Sequence, residues 1–297
     1  MGATITDGRA TTPAEISGRG WKQVLVRTWK EASRDNLNLI AAGVAFYAFL
    51  AFVPLLGILV LTYGLVADPA SVVQHFHALT RVMPPEVARI IGEQMQSMVE
   101  TATGQKGFAL LLALLIAVYG AMRGATSIIT ALNIVHGVTE DRGFLRTTAL
   151  AILITLGAVV ALLAGIIAIS ALAALDTLLP FSSPLVHGLL KTLFWLAAAA
   201  AVSFVIAAIY RYAPNRPKTQ WRWLSPGSIA ATLAWLAATL GFGFYVANFG
   251  NYNATYGSLG AVVVFLTWLY LSAYILLIGG ELNAELEKQT LCDTTGP

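Results

Sequence analysis

The stretch WLSPGSIAATLAWLAATLGFGFYVANFGNYNATYGSLGAVVVFLTWLYLSAYILLIGG, residues 223–280, contains no charged residue. Its 58 residues are too many for one membrane helix and suit two, because about 20 apolar residues cross a hydrocarbon core. The break falls at residues 248–257, NFGNYNATYG, where Asn and Gly mark a turn. The pattern predicts helices over about 226–247 and 258–280. Working back along the chain, four more apolar runs stand at about 39–66, 108–135, 148–175 and 189–209. The 297-residue chain is 57% apolar, only 11% charged, and has a mean hydropathy of +0.73. An average soluble domain carries about 25% charge, so a single soluble globule is excluded. The expected fold class is an all-α polytopic membrane protein with six transmembrane helices.

Six spans place both termini on one side of the membrane. Of the 18 Lys and Arg, six precede the first span (Arg9, Arg19, Lys22, Arg27, Lys30, Arg34). Arg142 and Arg146 follow the second span, and Arg211, Arg216, Lys218 and Arg222 follow the fourth. Lys288 follows the sixth. The opposite side holds Arg81, Arg89 and Lys106, with Lys191 at a helix edge. By the positive-inside rule both termini are expected in the cytoplasm. A cleaved signal peptide is not expected, because the first 38 residues are polar.

Two segments are neither spans nor plain loops. Gly20–Arg34 places Trp21, Val24, Leu25, Thr28 and Trp29 on one helical face with basic residues elsewhere. This predicts an amphipathic helix lying in the membrane interface; the alternative is a short helix packed on the bundle. The external loop between the first two spans, 67–107, is punctuated by Pro84-Pro85 and reads as two short helices. The membrane domain is expected over 20–288, with disordered tails at 1–19 and 289–297.

Arg123 is the most informative single residue. It sits near the middle of the second span, where an Arg costs roughly 2.5–3.5 kcal/mol on insertion scales. The acids Asp35, Asp141, Glu281 and Glu285 all fall at predicted helix ends. At 1.5 Å per residue, Arg123 lies ~20 Å from the end of its helix at His136. It is either satisfied by carbonyls and lipid phosphate or built to hold an anionic group in a polar cavity. Gly120 and Gly124 frame it as GxxxG, a spacing that permits close helix approach. Tyr252 and Tyr256, in the uncharged external loop, are belt residues or contacts for a headgroup or solute. Pro54 interrupts the first span and is expected to kink it. Glu281 and Glu285, spaced i, i+4 past the sixth span, read most simply as a solvated helix end.

Enzyme signatures are absent: the chain contains no Walker A, HExxH, GxSxG or GxGxxG motif. One cysteine, Cys292, permits neither an internal disulfide nor a CxxC site. His75 and His77 are two apart and fall on different faces of a helix. No catalytic residue, metal site, cofactor or nucleic-acid partner is therefore expected.

Asp35–Leu56 (DNLNLIAAGVAFYAFLAFVPLL) resembles the first-span signature of the YihY/BrkB family of bacterial inner-membrane proteins, historically mislabelled ribonuclease BN. So do Arg123–Leu145, with Asn133 and Arg142, and Tyr210–Asn215 (YRYAPN, with Pro214), followed by Pro226-Gly227. The strongest match runs from Asn251 through Gly257 and Trp268-Leu-Tyr270 to Glu285. The resemblance covers roughly residues 20–288. It implies six helices with cytoplasmic ends and little chemistry; family members have carried ribonuclease and virulence labels, and some resemble lipid-precursor translocases. On this reading Asn133 joins Arg123, Tyr252 and Tyr256 as a candidate substrate or anion contact. Asp35, Pro54, Gly120, Gly124, Arg142, Pro214, Asn215, Gly257, Glu281 and Glu285 are candidate structural or gating positions. The expected function is a transporter or translocase of an anionic or amphipathic substrate, with membrane lipids as partners. A non-catalytic membrane scaffold is the alternative, and a membrane hydrolase is less expected because no general base or paired carboxylates are visible.

Overall fold

The computed structural model describes residues 13–64, 107–178, 184–216, 225–249 and 260–289. All secondary structure among them is helical: a short 3-10 turn at Pro13–Glu15, then α1 (Gly18–Arg34), α2 (Leu37–Gly64), α3 (Gly107–Val135), α4 (Phe144–Leu178), α5 (Pro184–Tyr212), α6 (Pro226–Phe249) and α7 (Gly260–Gln289). Helices α2 to α7 each fall on one of the six apolar runs. By length and composition four described helices can cross a membrane, or five when α1 and α2, bent by 66° at their junction, count as one. Only 6% of the apolar windows of α4 and α5 is buried inside the protein. Leu153, Val160, Leu196, Leu233 and Leu240 all face outward. Apolar side chains at this density on an outer surface need a hydrocarbon solvent.

Helix α7 is the hub, packing on α1, α2, α3 and α6, while α2 and α3 form the most extensive pair. The core at their junction is small-residue-rich: Ala41, Ala45, Ala125 and Ala131, interleaved with Leu37, Ile129, Leu132 and Leu277. In lipid, apolar burial gives little drive for helix association, so close approach of small residues matters more. Gly120 shows this: a Cβ there would stand 3.2 Å from the backbone of Ala51 on α2. Gly124 would meet Tyr47 at an ordinary 3.8 Å. Only the first glycine of the GxxxG pair is therefore required by the packing. Helix α2 continues through Pro54 without interruption in its assigned helix.

At one end of the bundle, here called the foot, α1 folds back onto the last turns of α7. Ser17 caps α1, its Oγ accepting from Gly20 N at 3.1 Å. Gly20, Val24, Thr28 and Ala32, spaced by four, form the buried stripe of α1. Val24 packs with Ile16, Leu282 and Leu286. The apolar face read from the sequence is thereby split: Val24 and Thr28 meet α7, whereas Leu25 and Trp29 remain exposed. The turn into α2 passes through Asn36 at φ +52°, a left-handed conformation that Asn tolerates better than most residues. The stretch 65–106 between α2 and α3, which contains nearly all of the expected 67–107 loop, and the outer tail segments 1–12 and 290–297 lie outside the described residues.

Candidate functional site

Two polar regions stand out on this scaffold. The first is a groove of about 300 Å³ between α2 and α3. Ile40, Gly43, Val44 and Tyr47 form one wall; Arg123, Thr126, Ser127, Thr130 and Ile134 form the other. The i, i+3, i+4 and i+7 spacing of Arg123, Thr126, Ser127 and Thr130 puts them on one face of α3. Thr126 Oγ donates to Met122 O at 2.7 Å, and Ser127 Oγ donates to Arg123 O at 2.9 Å. With their protons turned to the backbone, these hydroxyls add little donor capacity to the groove. Arg123 supplies the charge. Its Nε donates to Tyr119 Oη at 3.1 Å, and its guanidinium lies 5.3 Å from the Tyr119 ring centroid. No carboxylate among the described residues pairs with it. An exposed guanidinium beside apolar surface, held by an aromatic ring and lacking an acid, suits a phosphate or carboxylate on an amphipathic molecule.

The second region is the foot, where the sequence-derived candidates Asn133, Arg142, Pro214 and Asn215 come together. Asn133, buried near the end of α3, donates through Nδ2 to Glu140 Oε2 at 2.9 Å and accepts from Asn215 N at 2.7 Å. Asn215 Nδ2 donates to Thr139 O at 2.9 Å. Arg142 binds Glu140 through Nε, 2.7 Å, and donates from Nη2 to Ala213 O, 2.7 Å. The α3–α4 loop is thus tied to the end of α5, and Pro214, buried, ends that helix. Arg142 and the other donors hold the Glu140 carboxyl below the ordinary carboxylate range. Asn133 stands ~15 Å along α3 from Arg123, with both amide atoms engaged. The structure places it in the lock of the foot, apart from the groove.

A third set surrounds the lower turns of α7. Gly227 and Gly279 let α6 and α7 approach to backbone contact, and Gly279 and Gly280 leave room for the side chains of Tyr210 from α5 and Leu132 from α3. A Cβ at Gly227 would lie 2.2 Å from Gly279 O, and one at Gly279 would lie 2.5 Å from Tyr210 Oη. Asn283 reaches across from α7 to cap α6, its Oδ1 accepting from Gly227 N at 2.8 Å. Its Nδ2 donates to Ser225 Oγ at 2.9 Å. This junction had no assigned role in the sequence; the paired Pro226-Gly227 and Gly279-Gly280 were its signal.

Glu281 and Glu285 overturn the reading as a solvated helix end: both residues are only 1% exposed. The cause is α1, which covers that side of α7. Glu285 is paired twice, with Arg27 Nε at 2.7 Å and Lys288 Nζ at 2.6 Å. Glu281, one residue past the apolar run, is different: its buried Oε2 has no hydrogen-bond partner. Burial, reinforced by the charge of Asp35, pushes its carboxyl up to about 8. Asp35 is itself raised by burial and by Glu31. Tyr252, Tyr256 and Gly257 lie outside the described residues, as does the side chain of Pro54.

An all-helical bundle with lipid-type outer surfaces and a hydrogen-bonded foot defines a polytopic membrane protein. The chain belongs to the family described as Virulence factor BrkB, whose profile matches residues 28–295. It is 28% identical over 193 residues to the putative ribonuclease-like protein YfkH of Bacillus subtilis, covering 64% of this chain and 70% of that protein. It is 27% identical over 261 residues to a UPF0761 membrane protein of Alteromonas mediterranea, covering 86% and 85%. A UPF0761 membrane protein of Vibrio atlanticus is 26% identical over 263 residues, covering 86% and 80%. No solved structure matches the chain.

Proposed function

We propose that this protein is a six-span inner-membrane translocase or transporter that takes the anionic headgroup of an amphipathic molecule, such as a lipid, into the α2–α3 groove. The observation that carries the reading is Arg123, an acid-free guanidinium in an otherwise apolar helix, lining an open groove. A guanidinium binds phosphate through paired donors, and the adjoining Ile40, Val44 and Ile134 accept an acyl chain. The same groove offers no carboxylate or imidazole among its lining residues, which argues against a hydrolase despite the ribonuclease-like name of one relative. A membrane scaffold remains the second reading, favoured by how thoroughly the foot is cross-braced. In the proposed topology the foot faces the cytoplasm, and α1 carries its exposed Leu25 and Trp29 into the interface.

The test is mass spectrometry of lipids retained by purified wild type, Arg123→Lys and Arg123→Ala. Anionic lipid retained by wild type should fall about tenfold in Arg123→Ala and less in Arg123→Lys. Identical profiles would remove the groove as a headgroup site. Proteoliposomes carrying a labelled anionic lipid then separate translocase from scaffold: wild type should move it between leaflets, and a scaffold should not. Topology is read by thiol labelling in a Cys292→Ser background. A cysteine placed by Asn251→Cys and labelled only from the cytoplasm overturns the orientation.

A further inference from the structure

Glu281 is a buried carboxyl whose Oε2 has no hydrogen-bond partner, and the cation nearest in effect, Lys288, is paired with Glu285 instead. Around it the α1–α2 elbow brings Asp35 and Glu31, and α7 itself brings Glu285 and Lys288. Helices α2 and α6 carry no charged residue over their described lengths. Just past the end of α3 lies His136, whose ring is held neutral at pH 7 by burial and by Arg216, down to about 4. The nearby cations are already committed: Arg27 and Lys288 to Glu285, and Arg216 to Glu287. None of the hydrogen bonds in this cluster ends on Glu281. A carboxyl so placed, facing another carboxyl, reaches neutrality by binding a proton rather than by pairing.

The second carboxyl belongs to the elbow. Asp35 sits at the turn between α1 and α2, next to the left-handed Asn36, where the chain bends by 66°. Two negative charges at this junction would push the elbow away from α7; one proton taken up by Glu281 removes most of that repulsion.

We propose that Glu281 and Asp35 form a proton-binding site at the junction of the α1–α2 elbow with α7, loaded from the foot side, and that loading holds α1 against α7. The transfer balances simply: hydronium at the foot gives its proton to a Glu281 carboxylate oxygen and leaves as water. The pair then goes from two negative charges to one. This site stands independently of the headgroup groove, because no groove residue belongs to it.

Infrared difference spectroscopy on the full-length protein in liposomes, stepped in pH, tests it. Wild type should show a protonated-carboxyl band that disappears near pH 8. The band should be missing in Glu281→Gln. In Asp35→Asn its midpoint should fall, with roughly tenfold weaker proton affinity. A wild type with no carboxyl titrating above the ordinary range overturns the proposal, as does a band that survives Glu281→Gln. Should Glu281→Gln fail to accumulate, an unshifted midpoint in Asp35→Asn overturns it alone. Hydrogen exchange of α1 amides addresses the elbow. Above pH 8, wild type should exchange faster than Glu281→Gln at the same pH, and equal protection refutes the clamping role. Lipid retention is unaffected by either result, so this site and the groove fail separately.

Discussion

The groove around Arg123 and the foot around Asn133 and Glu285 are both polar, yet they use polarity in opposite ways. In the foot nearly every donor meets an acceptor on another element: Asn133 with Asn215, Arg142 with Ala213, Asn283 with Gly227, Arg27 with Glu285. In the groove Arg123 meets only a tyrosine one turn away on its own helix. Satisfied polar networks specify one packing, whereas an unsatisfied charge beside open space is available to a ligand. Glu281 departs from that pattern: its Oε2, like Thr28 Oγ1 and His136 Nε2, is buried without a hydrogen-bond partner, and of these three it alone belongs to a carboxyl.

The widest separation between the two regions should appear on adding a side chain. Gly279→Leu must displace Tyr210, Ala231 or the Gly227 carbonyl, and should cost about 3 kcal/mol or prevent assembly. Gly43→Ala in the groove meets nothing within 4 Å and should leave thermal unfolding in detergent unchanged. If both behave alike, the contrast in packing is wrong. Next in size, Arg142→Ala leaves Glu140 with Asn133 as its remaining side-chain donor and frees the end of α5. About 1 kcal/mol should be lost, read as the same melting shift. Arg123→Ala should move stability by under ~0.5 kcal/mol while lipid retention falls, the reverse of the Arg142 result.

The smallest expected effect is in the pH profile of the foot, and its two acids should act with opposite sign. The Glu140 carboxyl is lower in the fold than in the unfolded chain. Its contribution is therefore present above the ordinary value of 4.5 and is lost as pH falls through the folded value. Glu281 is raised to about 8, so its penalty grows as pH climbs from 4.5 and levels off beyond 8. Melting temperature against pH should fall on the acid side in a way that Glu140→Gln flattens. It should also fall on the alkaline side in a way that Glu281→Gln flattens. An unchanged alkaline limb in Glu281→Gln would mean that another group titrates there.

The helices are legible because each is an apolar run with at most one charge; the sequence places the start at Pro226 directly, and α4 and α5 begin only a few residues earlier than expected. Arg123 was legible for the same reason, as a lone charge against an apolar background. The foot was not. Asn133 and Asn215 are 82 residues apart, and nothing local in either segment says that they bond. Glu281 and Glu285 look solvated within α7 alone; their burial comes from α1, which helical periodicity cannot relate to α7. Asn133 stands out in the sequence by its motif, but only the fold shows its amide bracing the α3–α4 loop and the residues after α5. Polar residues in a span announce themselves, while polar residues at helix ends acquire their role only from what docks on them.

The Arg27–Glu285 pair joins α1 to α7, which is synthesised 258 residues later. During biogenesis the Val24 stripe of α1 must therefore wait, uncovered, until α7 has emerged and been inserted. The closing of the foot thus reports that α7 is in place. A product terminated before α7 would keep an exposed apolar face beside the membrane, marking unfinished protein for quality control.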